Sequence, residues 1–152
     1  MALEFNTIGV KLKYAVESSA GTRPTSGYVQ IPDIKGTPAI DINPAKLQCT
    51  NLEDEYHRFV DGVKSVGDSF DFTANLTVNL KNKWASCVSA AETAYASQKS
   101  TWFEISIPNF DSFYFAGIPT ELGVNEMAVD SVIESTLHIV PNQIGGWASA
   151  ST

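Results

Sequence analysis

Between residues 68 and 97 the spacing of apolar residues changes from every second position to every third or fourth. Over 68–79, Phe70, Phe72, Ala74, Leu76 and Val78 fall on one face, and Asp71, Thr73, Asn75, Thr77 and Asn79 on the other, which is a strand with one buried side. From Lys81 onward, Trp84, Val88, Ala91 and Tyr95 recur at steps of four, three and four, the stripe of an amphipathic helix. About eighteen residues at about 1.5 Å each span about 27 Å, enough to cross several strands. The helix therefore needs a sheet to cover, and the rest of the chain has to supply it.

Most of the remaining segments read as strands. Residues 7–16 alternate through Ile8, Val10, Leu12 and Tyr14, and 17–27 form a Ser-, Gly- and Pro-containing loop long enough to have a role of its own. Residues 28–34 are an apolar run broken by Pro32, which belongs at a sheet edge. After a turn at 35–38, two short strands are expected at 39–43 and 47–52, separated by a turn at Pro44, the second carrying Cys49 inward. Residues 53–66 mix charge, aromatics and the Asp61-Gly62 dipeptide without a period, as expected of an exposed hairpin or extended loop projecting from the body.

Beyond the helix, 101–107 and 112–117 form a hairpin, with Phe103, Ile105 and Ile107 on one face and Trp102, Glu104 and Ser106 on the other. A Pro- and Gly-containing connection follows at 118–124. Residues 125–140 give one long extended segment, with Met127, Val129, Ile133, Leu137 and Ile139 in step and Asp130, Glu134, Thr136 and His138 out of step; its length implies a bend or service to two sheets. The expectation is a mainly β chain, a β-sandwich or partial barrel with one flanking α-helix. A single domain covers 1–140, with the projecting loop at 53–66 and a flexible tail at 141–152 whose Trp147 needs a surface to bury it.

Composition removes several functions. The 152-residue chain is 43% hydrophobic and 11% aromatic, sufficient for a real core. Ten Lys and Arg against seventeen Asp and Glu give a net charge of −7, contrary to a surface built to hold phosphates. No apolar run is long enough to span a bilayer, and the first residues lack the basic and apolar regions of a signal peptide, so the chain is expected to begin its life in the cytosol. Cys49 and Cys87 have no CxxC motif or paired His nearby and read as buried thiols. His57 and His138 accompany no nucleophile motif. The acidic groups Glu53, Asp54, Glu55 and Asp68, Asp71 do not have the spacing of a metal loop. Neither catalysis nor a cofactor is expected.

The order of several short motifs carries a resemblance. Residues 27–38 (Gly-Tyr-Val-Gln-Ile-Pro-Asp-Ile-Lys-Gly-Thr-Pro) are followed by Cys49-Thr50-Asn51-Leu52-Glu53-Asp54, then Phe59-Val60-Asp61-Gly62-Val63-Lys64 and Gly67-Asp68-Ser69-Phe70-Asp71-Phe72-Thr73-Ala74-Asn75. The helix comes next, and the pattern closes with Gly117-Ile118-Pro119, Gly123-Val124 and Asn125-Glu126. Over nearly the whole chain this resembles the major tail tube proteins of long-tailed, siphovirus-type bacteriophages. The resemblance implies a tail-tube-like fold, homohexameric rings whose strands form a continuous inner barrel, and stacking of rings into a hollow virion tail tube assembled in the host cytoplasm. DNA would pass through without specific binding, and the implied partners are a tape measure protein and tail terminator or baseplate proteins.

On that reading the lumen-facing candidates are Asp71, Thr73, Asn75, Thr77, Glu104, Asp130 and Glu134. Ring stacking falls to Glu53, Asp54, Glu55, Tyr56, Arg58 and Phe59, and an arm between subunits to the tail with Trp147. The chain lacks the second C-terminal domain of some members, so no decoration function is expected. A subunit of a contractile tail or a type VI-like secretion tube would share these features. A monomeric carbohydrate-binding β-sandwich would instead present Trp102, Tyr114 and Trp147 on one concave face.

Overall fold

The computed structural model describes residues 6–65 and 69–151. Val66, Gly67 and Asp68, where the expected hairpin ends and the expected strand begins, lie outside the described residues, as does Thr152 at the end of the expected tail. The elements are β1 (Lys11–Val16), β2 (Val29–Ile31), β3 (Ile34–Gly36), β4 (Asn43–Gln48), β5 (Phe59–Ser65), β6 (Phe70–Asn75), α1 (Val78–Ala96), β7 (Thr101–Ser106), β8 (Ser112–Pro119) and β9 (Glu134–Ala148). Two compact units result, one from Met1–Pro38 with Ser69–Thr152, the other from Ala39–Asp68.

In the first unit seven strands form one antiparallel sheet in the order β2-β1-β7-β8-β9-β6-β3. The outermost strands, β2 and β3, are joined by only Pro32 and Asp33. The two edges of the sheet therefore have to meet, and the sheet curls into a nearly closed barrel. Asp33 makes the corner with a φ of 62°, a left-handed conformation that Asp tolerates better than most residues.

One face of the sheet is aromatic. Phe115 is fully buried, its ring centroid 5.0 Å from Phe70, 6.2 Å from Phe72 and 5.4 Å from Phe103. Helix α1 buries Leu80, Trp84, Cys87, Val88, Ala91 and Ala94. Trp84 Nε1 donates to the carbonyl of Thr120 at 2.8 Å, so the indole is satisfied where it is buried. Burial pushes the Cys87 thiol up to about 12, which keeps it protonated and inert.

The sequence expectations differ from the structure at identifiable places. The strand expected to reach 79 stops at Asn75, and the helix starts at Val78 because Thr77 caps it: its Oγ1 accepts from Leu80 N at 3.0 Å and donates to Asp33 Oδ2 at 2.6 Å. Val78 is consequently exposed, and Ala94 rather than Tyr95 closes the helix's apolar stripe. Replacing Thr77 by Ala is expected to cost about 1 kcal/mol, read as a melting-temperature drop of roughly 3 °C; Thr77→Ser, which keeps the capping hydroxyl, should recover most of that loss. An equal drop for both variants would deny the cap its role.

Residues 134–139 of β9 pair with β6, and 139–148 pair with β8, so one long strand serves two neighbours. It begins at Glu134, not 125, and runs through most of the segment expected to be a flexible tail. The small residues that suggest a tail are what let the backbone approach: a Cβ on Gly145 would lie 2.8 Å from the Trp102 ring. Trp147 packs edge-on against Phe110 and Phe113, at 5.5 and 5.4 Å.

In the second unit β4 pairs antiparallel with β5, with a register shift between Pro44 and Lys46. The expected turn at Pro44 is therefore a bulge within a strand. Of 39–43, only Asn43 is in a strand, and Cys49, expected inside, lies just past β4 and is exposed.

Candidate functional site

The polar side of the barrel is built where β6 meets β9. Asp71 stands opposite His138, Thr73 opposite Thr136, and Asn75 opposite Glu134. Antiparallel partners share a face, so six polar side chains stand in two adjacent files. His138 Nδ1 and Asp71 Oδ1 lie 2.5 Å apart, and Lys35 pairs with Glu134. The hydrogen bond with His138 holds the Asp71 carboxyl below its ordinary value.

Four of the seven lumen candidates are thus brought together: Asp71, Thr73, Asn75 and Glu134. Lys35, Thr136 and His138 join them. Thr136 and His138 share the alternation of Glu134, and the register that places them beside β6 was the missing information. The other three candidates lie elsewhere. Thr77 is the helix cap, Asp130 sits in an exposed turn with a φ of 60°, and Glu104 is 0% exposed.

Glu104 is buried because β7 is covered on both sides. On the face away from the Phe115 core, the Glu17 carboxylate accepts from Gly21 N, Ser100 N and Trp102 Nε1, at 2.5, 3.2 and 3.1 Å. The Arg23 guanidinium stacks 4.0 Å from the Tyr114 ring centroid, and Tyr28 packs edge-on to the same ring. The end of the chain closes this side: Ser151 N and Oγ donate to Glu104 at 3.0 and 2.6 Å. The Tyr114 hydroxyl lies 2.9 Å from Glu104 Oε2 and 2.7 Å from the Ser149 carbonyl, so its one proton is shared between two acceptors. Burial raises the Glu104 carboxyl, but the bonds from Ser151 and Tyr114 outweigh it and the net direction is down, while burial and then Glu104 push Tyr114 up to about 12.

A carboxyl lowered in the folded state contributes stability that is fully present above its unfolded value of 4.5 and is lost as pH falls through the folded value. Glu104→Gln replaces an acceptor by a donor opposite Ser151 and is expected to cost about 1–3 kcal/mol at neutral pH. On acidification the variant should lose less stability than the wild type. Parallel melting curves from neutral to acid pH would contradict this assignment.

The same covering disposes of the aromatic sugar platform. Trp102 and Tyr114 are 4% and 2% exposed, so of the three aromatics only Trp147 presents an open ring.

The second unit carries the stacking candidates. Its loop, 49–58, is tied by its own side chains: Arg58 Nε to Asp54 Oδ2 at 2.9 Å, Asn51 N to the same oxygen at 2.9 Å, and Arg58 N to Thr50 Oγ1 at 2.9 Å. Arg58 and Asp54 therefore shape the loop, while Glu53, Glu55, Tyr56 and Phe59 are exposed. Leu52 and Val63, outside that candidate set, are exposed as well.

Among the described residues no group of three His, Cys, Asp or Glu could hold a metal ion, and no helix is long and apolar enough to cross a membrane. His57 contacts Gln48 and Thr50, and His138 contacts Asp71.

No protein-family model and no curated protein matches this sequence. Solved structures do match, and they define the fold as one found in chains of tail and baseplate particles. A chain of the anti-feeding prophage baseplate, reconstructed with 6-fold symmetrisation, aligns over 100% of both chains with a TM-score of 0.64 at 7% identity. A chain from the virion of a native gene transfer agent particle aligns with 96% of this chain and 100% of its own, with a TM-score of 0.59 at 14% identity. A chain from the tail of an empty gene transfer agent particle, refined helically with C6 symmetry, gives 0.59 and 14% over 97% of this chain and 100% of its own. At such identities the likeness is one of fold.

Proposed function

We propose that this chain is a structural subunit of a phage-type virion tail. Six copies form a ring, and rings stack into a hollow tube through which DNA passes. The observation that carries the reading is the end-to-end fold likeness to chains of particles reconstructed with sixfold symmetry. The β6–β9 polar face, with Asp71, Thr73, Asn75 and Glu134, lines the lumen. Six copies at −7 each carry −42, a field that repels phosphate and lets DNA slide without adhering. The β4–β5 hairpin docks ring on ring, and the end of β9 around Trp147 lies between subunits. Tape measure and terminator or baseplate proteins are the heterologous partners, and assembly takes place in the host cytoplasm.

The baseplate match favours a second placement of the same subunit, in a ring at the end of a contractile or secretion-type tube. Sedimentation velocity over a concentration series tests the common core of both placements. The 16.4 kDa chain should give way to a species of about 98 kDa and then to larger multiples. A boundary that stops at the dimer would contradict it.

A further inference from the structure

Two stretches of the first unit have backbone that is free to pair. Residues 121–128 run without helix or strand, and among the described residues no backbone hydrogen bond joins them to the rest of the chain. Pairing resumes only at Ile133, whose carbonyl accepts from Leu76 N at 2.9 Å. Val124 and Met127 in this stretch are exposed, Val124 by 82%. The other stretch is the far half of β9. Its partner on one side, β6, reaches only from Glu134 to Ile139, so residues 143–148 bond to β8 and, among the described residues, to no strand on the other side.

Six residues of open strand edge and eight residues of chain without a backbone partner are comparable in length. An open edge is a template for strand addition. Within one copy they lie on opposite sides of β9. Residue 120 leaves β8 beside His138, to whose carbonyl Thr120 N donates at 3.0 Å, so 121–128 start on the β8 side of β9. The free edge is on the other side, beyond the stretch that β6 occupies. In its own copy the segment is held at the near end of β9, where Asn125 Nδ2 donates to Thr136 Oγ1 at 3.1 Å.

We propose that residues 121–128 of one copy add as an edge strand to residues 143–148 of a second copy. The contact is head-to-tail, because each copy offers both a donor segment and an acceptor edge, and such a contact closes into a ring when the rotation between copies permits. Pro141, without an N–H, ends the accepting edge on its near side. The proposal rests on the self-assembly reading and assigns it a contact.

The test uses the full-length chain with Cys49→Ser, which removes the exposed thiol and leaves the buried Cys87. Val124→Cys or Met127→Cys is mixed with Asn142→Cys or Gln143→Cys, giving four mixtures that cover both faces of an added strand. A short bis-maleimide is added, since neighbouring strands lie about 4.8 Å apart. A covalent dimer is expected in at least one mixture and in none of the four variants alone. Six-copy species without any cross-linked dimer would overturn the strand addition and leave the ring standing. Cross-linked dimers without six-copy species would keep the contact and refute the ring. Dimers from a single variant alone would overturn the head-to-tail geometry, and a chain that stays monomeric throughout would refute both.

Discussion

Phe115→Ala lowers stability by about 3–5 kcal/mol and the melting temperature by roughly 10 °C. The ring is fully buried and is shared by Phe70, Phe72 and Phe103, so its removal leaves a cavity lined by three aromatics from β6 and β7. The two strands lie on opposite sides of β8 in the sheet, which leaves no single element able to collapse into the space. Phe115→Leu should recover part of the loss by refilling some of that volume. Thermal unfolding followed by near-ultraviolet circular dichroism reads both variants. A shift of only 2–3 °C for the Ala variant, below the range set by the size scaling, would show that the core is centred elsewhere.

The second large effect concerns assembly. Tyr56→Ala combined with Phe59→Ala is expected to leave the far-ultraviolet spectrum and the melting curve near wild type, since both side chains are exposed, while abolishing stacked rings. Each aromatic anchor lost from an interface centre costs about 2 kcal/mol or more, and a ring repeats the loss six times. Arg58 is the poorer target because its bond to Asp54 shapes the loop, so its removal would confound docking with refolding of the loop. Tubes as abundant as wild type from the double variant would refute the docking role of the hairpin.

The period change near residue 80 made the helix and the aromatic face of β6 legible, because each depends on side chains within one segment. What escaped depended on distant partners. Thr77 fits a strand's polar file until Asp33, remote in sequence, is known to meet it beside the helix start. Glu104 sits at a polar position of a clean alternation, and alternation assumes that one face is wet; the chain end and the loop after β1 cover that face instead. The Gly- and Ala-rich end carries no core period because its fit depends on the absence of side chains against Trp102. The polar face was half visible: Asp71, Thr73 and Asn75 follow from one strand's pattern, whereas His138 and Thr136 needed the β6–β9 register. The near closure of the sheet follows from a two-residue link between its outermost strands, a relation no local pattern encodes.

The most direct test of the central claim is electron microscopy of the purified chain across a concentration series, with class averages taken down the particle axis. The tail-subunit account predicts sixfold rings with an open centre and, at higher concentration, hollow tubes of uniform width. Compact particles at every concentration, or solid filaments without a lumen, would contradict it.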